Sequence, residues 1–172
     1  MPDNTGAHRE GILMQGVERI NHMQPEFVVG IGDMIEGYTE DSTLIRKQWT
    51  EFQGSISQLK MPFFYVPGNH DYSNQMMANF WQTRFGSDYY YFIYRNVLFL
   101  CLNSEDGTTS FAKADVGDKQ YSFVEKVLSE HPGVDWTMVF IHQPLWLNPG
   151  AKNWLKVEKL LSDRKHSVFT GH

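Results

Sequence analysis

Four short apolar runs in this sequence each stop at a residue that can hold a cation or move a proton, and that recurrence restricts the fold more than any other feature. Residues 27–31 lead into Gly32-Asp33, 62–66 into Pro67-Gly68-Asn69-His70-Asp71, 136–141 into His142, and 166–170 into Gly171-His172. Each run is short and rich in Val, Ile, Phe or Tyr, the composition of a strand. Helical stretches separate them, and strands alternating with helices predict a largely parallel sheet whose carboxyl edges face one crevice. Such a sheet brings an Asp, an Asn and three His, far apart in the chain, to one place. Taken singly these residues would be ordinary: Asp33 a turn residue, His142 a loop histidine, and Pro-Gly-Asn a common turn.

The intervening elements are legible from their periodicity. Ile12, Leu13, Val17, Ile20 and Met23 fall at helical spacing, and Pro25 ends that helix. Asp41 or Ser42 can cap a helix running to about Leu59, which buries Leu44, Ile45, Trp49, Phe52 and Ile56. A third helix is expected from about Ser73 to Arg84, closed by Gly86, a fourth over Asp118 to Glu130, and a fifth over Trp154 to Asp163. Tyr89–Tyr94 and Val97–Leu102 are strand-like runs separated only by Arg95-Asn96, a hairpin signal. Between Ser104 and Asp115 lies a polar, Gly/Ser/Thr-rich loop long enough to act as a lid or a specificity loop. Tyr38, Trp146 and this loop are candidates to line a substrate pocket, against the plainer readings of aromatic packing and solvated loop.

A chain of 172 residues, 41% hydrophobic and 20% charged, fits one domain with a real core. Its net charge of −5 and its lack of a Lys/Arg cluster argue against a nucleic-acid surface. A phosphate substrate would be attracted by bound metal ions, not by the field of the whole molecule. Cys101, the single cysteine, lies in an apolar run and is read as a core residue; it permits no internal disulfide and no thiolate zinc site. No apolar run approaches the length of a membrane span. The N-terminus lacks a signal-peptide layout, which tilts the expected location towards the cytoplasm.

Oxygen and imidazole donors without thiolate suit divalent ions such as Mn, Fe or Zn. A pair of such ions clamps a phosphoryl group, while a nearby histidine can protonate the leaving oxygen. In order, Gly32-Asp33, Gly68-Asn69-His70-Asp71, His142 and Gly171-His172 resemble the calcineurin-like metallophosphoesterases. That family carries D-x-H, G-D, G-N-H-[DE], a lone His and G-H-x-H at successive strand ends. The resemblance implies an αββα sandwich of mixed sheets flanked by helices. It also implies a dinuclear centre that hydrolyses phosphate mono- or diesters by attack of a metal-bound hydroxide. By the same resemblance Asp33 bridges both metals, Asn69, His142 and His172 complete one of them, and His70, backed by Asp71, is the catalytic histidine.

Two departures from the family pattern sharpen this expectation. The best match to D-x-H is Asp3-Asn4-Thr5, with Asp3 as the metal ligand and Thr5 where the family has histidine; the chain stops at His172, before the second histidine of G-H-x-H. Both missing histidines serve the same metal. The sequence is therefore expected to be a partial catalytic domain, lacking an opening strand and C-terminal strands, and to hold one ion firmly and the other weakly or not at all. A competing expectation is a scaffold or binding module that keeps the fold without turnover. Nucleotide binding on a Rossmann-like sheet is excluded, because no glycine-rich G-x-G-x-x-G joins a first strand to a helix.

Overall fold

The computed structural model describes residues 11–106 and 113–172; Asp3 lies outside the described residues. The strands divide into two sheets instead of forming one. In the first, β1 (Val28–Ile31) pairs in parallel with β2 (Phe63–Val66). In the second, the order is β3 (Tyr90–Tyr94), β4 (Val97–Cys101), β5 (Trp136–Phe140), β6 (His166–Phe169). There β3 and β4 form the expected antiparallel hairpin, and β4, β5 and β6 are mutually parallel. Arg95 and Asn96 both adopt positive φ, 48° and 61°, which matches the turn to the right-handed twist of its strands.

Two sheets form because the strands are apolar on both faces. Leu98 and Leu100 of β4 point outward into a cluster with Val124, Val127, Trp154 and Val157, whereas Phe99 and Cys101 point inward. The inward layer is aromatic: Phe64 stacks on Phe92 with centroids 4.4 Å apart, and Phe27 meets Phe92 and Phe99 edge-on at 5.3 and 5.1 Å. A strand clothed on both sides needs a second layer on each. On the outer side of the first sheet, Trp49, Phe52 and Trp81 pack with Phe63 and Tyr65; on the outer side of the second sit α4 and α5. The result is the αββα sandwich that the motif series implies.

Helix boundaries follow their caps. α1 covers Ile12–Met23, and α2 covers Ser42–Ile56, where the Asp41 carboxylate accepts from the amides of Thr43 and Leu44. α3 (Gln75–Phe85) starts after the expected Ser73 because Asn74 takes the cap and accepts from Met77 N at 3.0 Å. α4 (Asp118–Glu130) matches its periodicity. α5 (Lys152–Leu161) begins two residues before the expected Trp154. Its first amides are satisfied from outside the helix, since Asp115 accepts from Asn153 N at 3.0 Å and Trp154 N at 2.9 Å. No local pattern announces a cap supplied from nearly forty residues away. No described helix is long and apolar enough to cross a membrane.

Candidate metal centre

The carboxyl ends of β1, β2, β5 and β6 meet where the two sheets adjoin, and the turns there are shaped by close approach. After β1 the backbone turns left-handed at Gly32 and Asp33, with φ of 79° and 52°. Asp33 is not glycine, so this conformation is strained and must be held by its surroundings. The hold is visible: the next two amides, Met34 N and Ile35 N, donate to Asp71 Oδ1 at 2.8 and 3.2 Å. A Cβ on Gly32 would collide with the His142 ring, and one on Gly68 with Asp33. These two glycines let a histidine from one sheet lie against a turn from the other.

Around the His142 ring the acceptors converge. His142 Nδ1 donates to the Ile31 carbonyl at 2.9 Å, which turns Nε2 inward. There Nε2 lies 3.1 Å from Asp33 Oδ2, 3.0 Å from Asn69 Oδ1 and 3.1 Å from His172 Nδ1. Asp33, His142 and His172 offer ligand atoms that all lie within 4.8 Å of one another. The carboxylate and amide oxygens bring lone pairs and no proton, so one positive charge has to sit among these atoms. A proton held on His142 is one way to supply it. Burial works to push the His142 imidazole down, but the Asp33 carboxylate beside it wins and raises it. Burial works to raise Asp33, but the His142 hydrogen bond and charge, with the His70 amide, hold it below the usual carboxylate range. Nitrogen and oxygen donors in this arrangement fit a divalent ion equally well.

Asn69 and His70 are neighbours with separate tasks. Asn69 turns its oxygen to the cluster and donates through Nδ2 to the Tyr38 hydroxyl at 2.7 Å. The His70 backbone N–H donates to Asp33 Oδ1 at 3.0 Å, while its ring sets Nδ1 against the Glu36 carbonyl at 2.7 Å. Here the structure corrects the sequence expectation. Asp71 does not back the His70 ring; its carboxylate accepts from Met34 N and Ile35 N through Oδ1 and from Gly68 N through Oδ2 at 2.9 Å. It ties the Asp33 turn to the Gly68 turn. Adjacency in sequence suggested a His-Asp pair, but the turn after Gly68 sends the two side chains in different directions. Burial pushes the Asp71 carboxyl up to about 7 against the pull of those amides.

Beside the cluster lies a buried polar group that sequence reading missed. Asn103, Ser104, Glu105, Gln120 and Gln143 are all fully or almost fully buried. Glu105 Oε1 accepts from Ser104 Oγ at 2.9 Å and from Gln143 Nε2 at 2.7 Å, and Ser104 Oγ also accepts from Gln143 N at 3.2 Å. The network anchors the residue after His142. It also corrects the expectation of a solvated lid, at least for its first residues; 107–112 lie outside the described residues. Trp146 follows in a short 3₁₀ turn, Leu145–Leu147, with its ring half-exposed. The run Leu102-Asn-Ser-Glu105, polar residues straight after a buried strand, was the one available signal.

Comparison with known proteins agrees with this geometry. A family model described as calcineurin-like phosphoesterase matches residues 11–172. The chain is 32% identical over 149 residues to serine/threonine-protein phosphatase CPPED1 of Rattus norvegicus, covering 77% of this chain and 45% of that protein. With the Mus musculus protein of the same name it shares 32% over 185 residues, 92% of this chain and 57% of that one. The chain thus spans about half the length of the curated relatives it matches. Among solved structures, a dimetal phosphatase from Danio rerio superposes with a TM-score of 0.63 at 13% identity, over 88% of this chain and 69% of that one. At that identity the likeness speaks to the fold alone.

Proposed function

The chain belongs to the calcineurin-like phosphoesterase family, and from that premise we propose that it hydrolyses phosphate mono- or diesters at a divalent metal centre. The observation that carries this reading is the convergence of Asp33 Oδ2, Asn69 Oδ1 and His172 Nδ1 on His142 Nε2, each within about 3 Å. These four residues would hold the ion. When bound, such ions neutralise phosphoryl charge and make water nucleophilic at neutral pH.

The remaining steps belong to the chain itself. The Ile31 carbonyl fixes the His142 tautomer so that Nε2 faces the ligand. Asp71 holds the Asp33 turn in its strained conformation. With Nδ1 of His70 engaged by Glu36, its Nε2 is the atom that exchanges a proton with the leaving oxygen of the ester. This set accounts for one firmly held ion. A second would share Asp33 and draw on further ligands, of which Asp3 lies outside the described residues.

Hydrolysis of an aryl phosphate and a bis-aryl phosphate with added Mn²⁺ tests the proposal. Turnover is expected, and His70→Ala is expected to lower it about 10²- to 10⁴-fold while leaving Mn²⁺ content unchanged. Bound Mn²⁺ with no turnover would overturn the enzymatic reading and leave a metal-binding module.

A further inference from the structure

The geometry points to Tyr38 as a substrate-binding residue, whose phenolic hydroxyl donates a hydrogen bond to a phosphoryl oxygen of the bound ester. This inference rests on the metal-centre reading above and names one more contact within it.

Three observations place the hydroxyl. It accepts from Asn69 Nδ2 at 2.7 Å, and the opposite atom of the same amide, Oδ1, lies 3.0 Å from His142 Nε2. The phenol therefore stands one amide group away from the convergent ligand atoms. Its ring meets the His70 ring edge-on, with centroids 4.6 Å apart at 83°, so it shares a wall with the histidine proposed to serve the leaving group. Unlike Asn69, which is almost fully buried, Tyr38 is 52% exposed and stands on the open side of the site.

The bonding pattern then sets the direction of the remaining proton. A phenol can accept and donate at once. The hydrogen bond from Asn69 occupies a lone pair, and among the described residues no acceptor takes the O–H, which is left to donate. A phosphoryl oxygen on an ion held by Asp33, Asn69, His142 and His172 would come to the same rim of the site and offer a charged acceptor. Such charge-assisted bonds are the stronger kind.

The residue is also held firmly enough for the task. Tyr38 adopts φ of 48°, a left-handed conformation unusual for an aromatic residue. Its backbone N–H donates to Ser73 Oγ at 3.1 Å, and the Gly37 N–H to Gln48 Oε1 at 3.2 Å. The Cβ of any residue replacing Gly37 would collide with the His70 carbonyl, so this turn is pressed against the turn carrying Asn69 and His70. A hydroxyl fixed in this way loses little freedom when the substrate arrives.

Tyr38→Phe keeps the ring over His70 and removes only the hydroxyl. In protein saturated with Mn²⁺, its affinity for inorganic phosphate, measured by calorimetry, is expected to fall about tenfold. KM for an aryl phosphate should rise by a similar factor, with kcat changed less. Thermal melts of the two proteins should coincide. Equal phosphate affinity in Tyr38→Phe and wild type at saturating Mn²⁺ would overturn the inference. So would a change confined to Mn²⁺ affinity, since the phenol would then act only by orienting Asn69. Wild-type protein that takes up Mn²⁺ but neither binds phosphate nor hydrolyses the ester would remove the metal-centre reading, and Tyr38 with it. Phosphate binding that is intact in wild type and unaltered in Tyr38→Phe removes Tyr38 alone.

Discussion

Asp33 and Asp71 are equally buried, each 1% exposed, yet they are opposite kinds of carboxylate. Asp33 faces an imidazole: His142 Nε2 stands 3.1 Å from one oxygen, and among the described residues the other accepts the His70 amide. Among the described residues the donors to Asp71 are all backbone, three N–H groups sharing its two oxygens. The first is held ionised and available to a cation. The second is pushed up by burial and directs both of its oxygens to amides that join two turns. Burial alone therefore does not say whether a carboxylate is a ligand. What decides it is whether its lone pairs are already taken.

The largest effect should come from Asp33→Ala, which removes the carboxylate 3.1 Å from His142 Nε2. Its Mn²⁺ affinity is expected to fall by more than the roughly 10–100-fold typical of losing an outer-shell partner. Calorimetric titration reads this directly, and retained affinity would break the comparison from the Asp33 side. Asp71→Ala should divide the other way. Three buried amides lose their acceptor, so the chelator-treated protein should lose about 2–4 kcal/mol of stability in denaturant titrations. Mn²⁺ affinity should fall too, about 10- to 100-fold, because the Asp33 turn is released. If Asp71→Ala kept full stability and lost all metal, Asp71 would have to be counted as a ligand.

Proton linkage gives a smaller and more diagnostic difference. Asp71 has its pKa raised from 3.8 to about 7, so between those values the folded protein binds more protons than the unfolded chain. Its ionisation therefore costs stability as pH rises across that window, at most roughly 1.4 kcal/mol per pH unit. Measured in chelator, Asp71→Asn should lack this slope, and its stability relative to wild type should improve from pH 4 to pH 7. Asp33 has the reverse sign: lowered by its histidine neighbours, it contributes stability above the ordinary carboxyl range and loses it as pH falls through its lowered value. The raised His142 contributes below the ordinary imidazole range and loses that contribution as pH rises through its folded value. Because an ion replaces the His142 proton, Mn²⁺ affinity should rise with pH over the same range. A flat profile would show that no proton occupies the site.

The parts of this site that could be read from sequence are those in which a residue acts from its own strand end. Asp33, Asn69, His142 and His172 meet the same cluster because each follows an apolar run whose direction its composition already gave. What stayed hidden involves partners from elsewhere. His70 was paired with Asp71 by adjacency, yet its ring found the carbonyl of Glu36, more than thirty residues upstream. Glu105 was assigned to a solvated loop because nothing local shows that Gln143 and Ser104 would cover it. The start of α5 depended on Asp115 in the same way.

By itself the sequence determined which residues the strands carry to the crevice and which helices clothe them, since period and punctuation are local properties of the chain. Tertiary structure decided how the strands divide between the two sheets of the sandwich that the motif resemblance implied, because aromatic side chains on their second faces needed a layer of their own. It also decided that one buried aspartate would hold a cation and the other two turns. That choice depends on which donors arrive at each oxygen, and the donors come from distant parts of the chain.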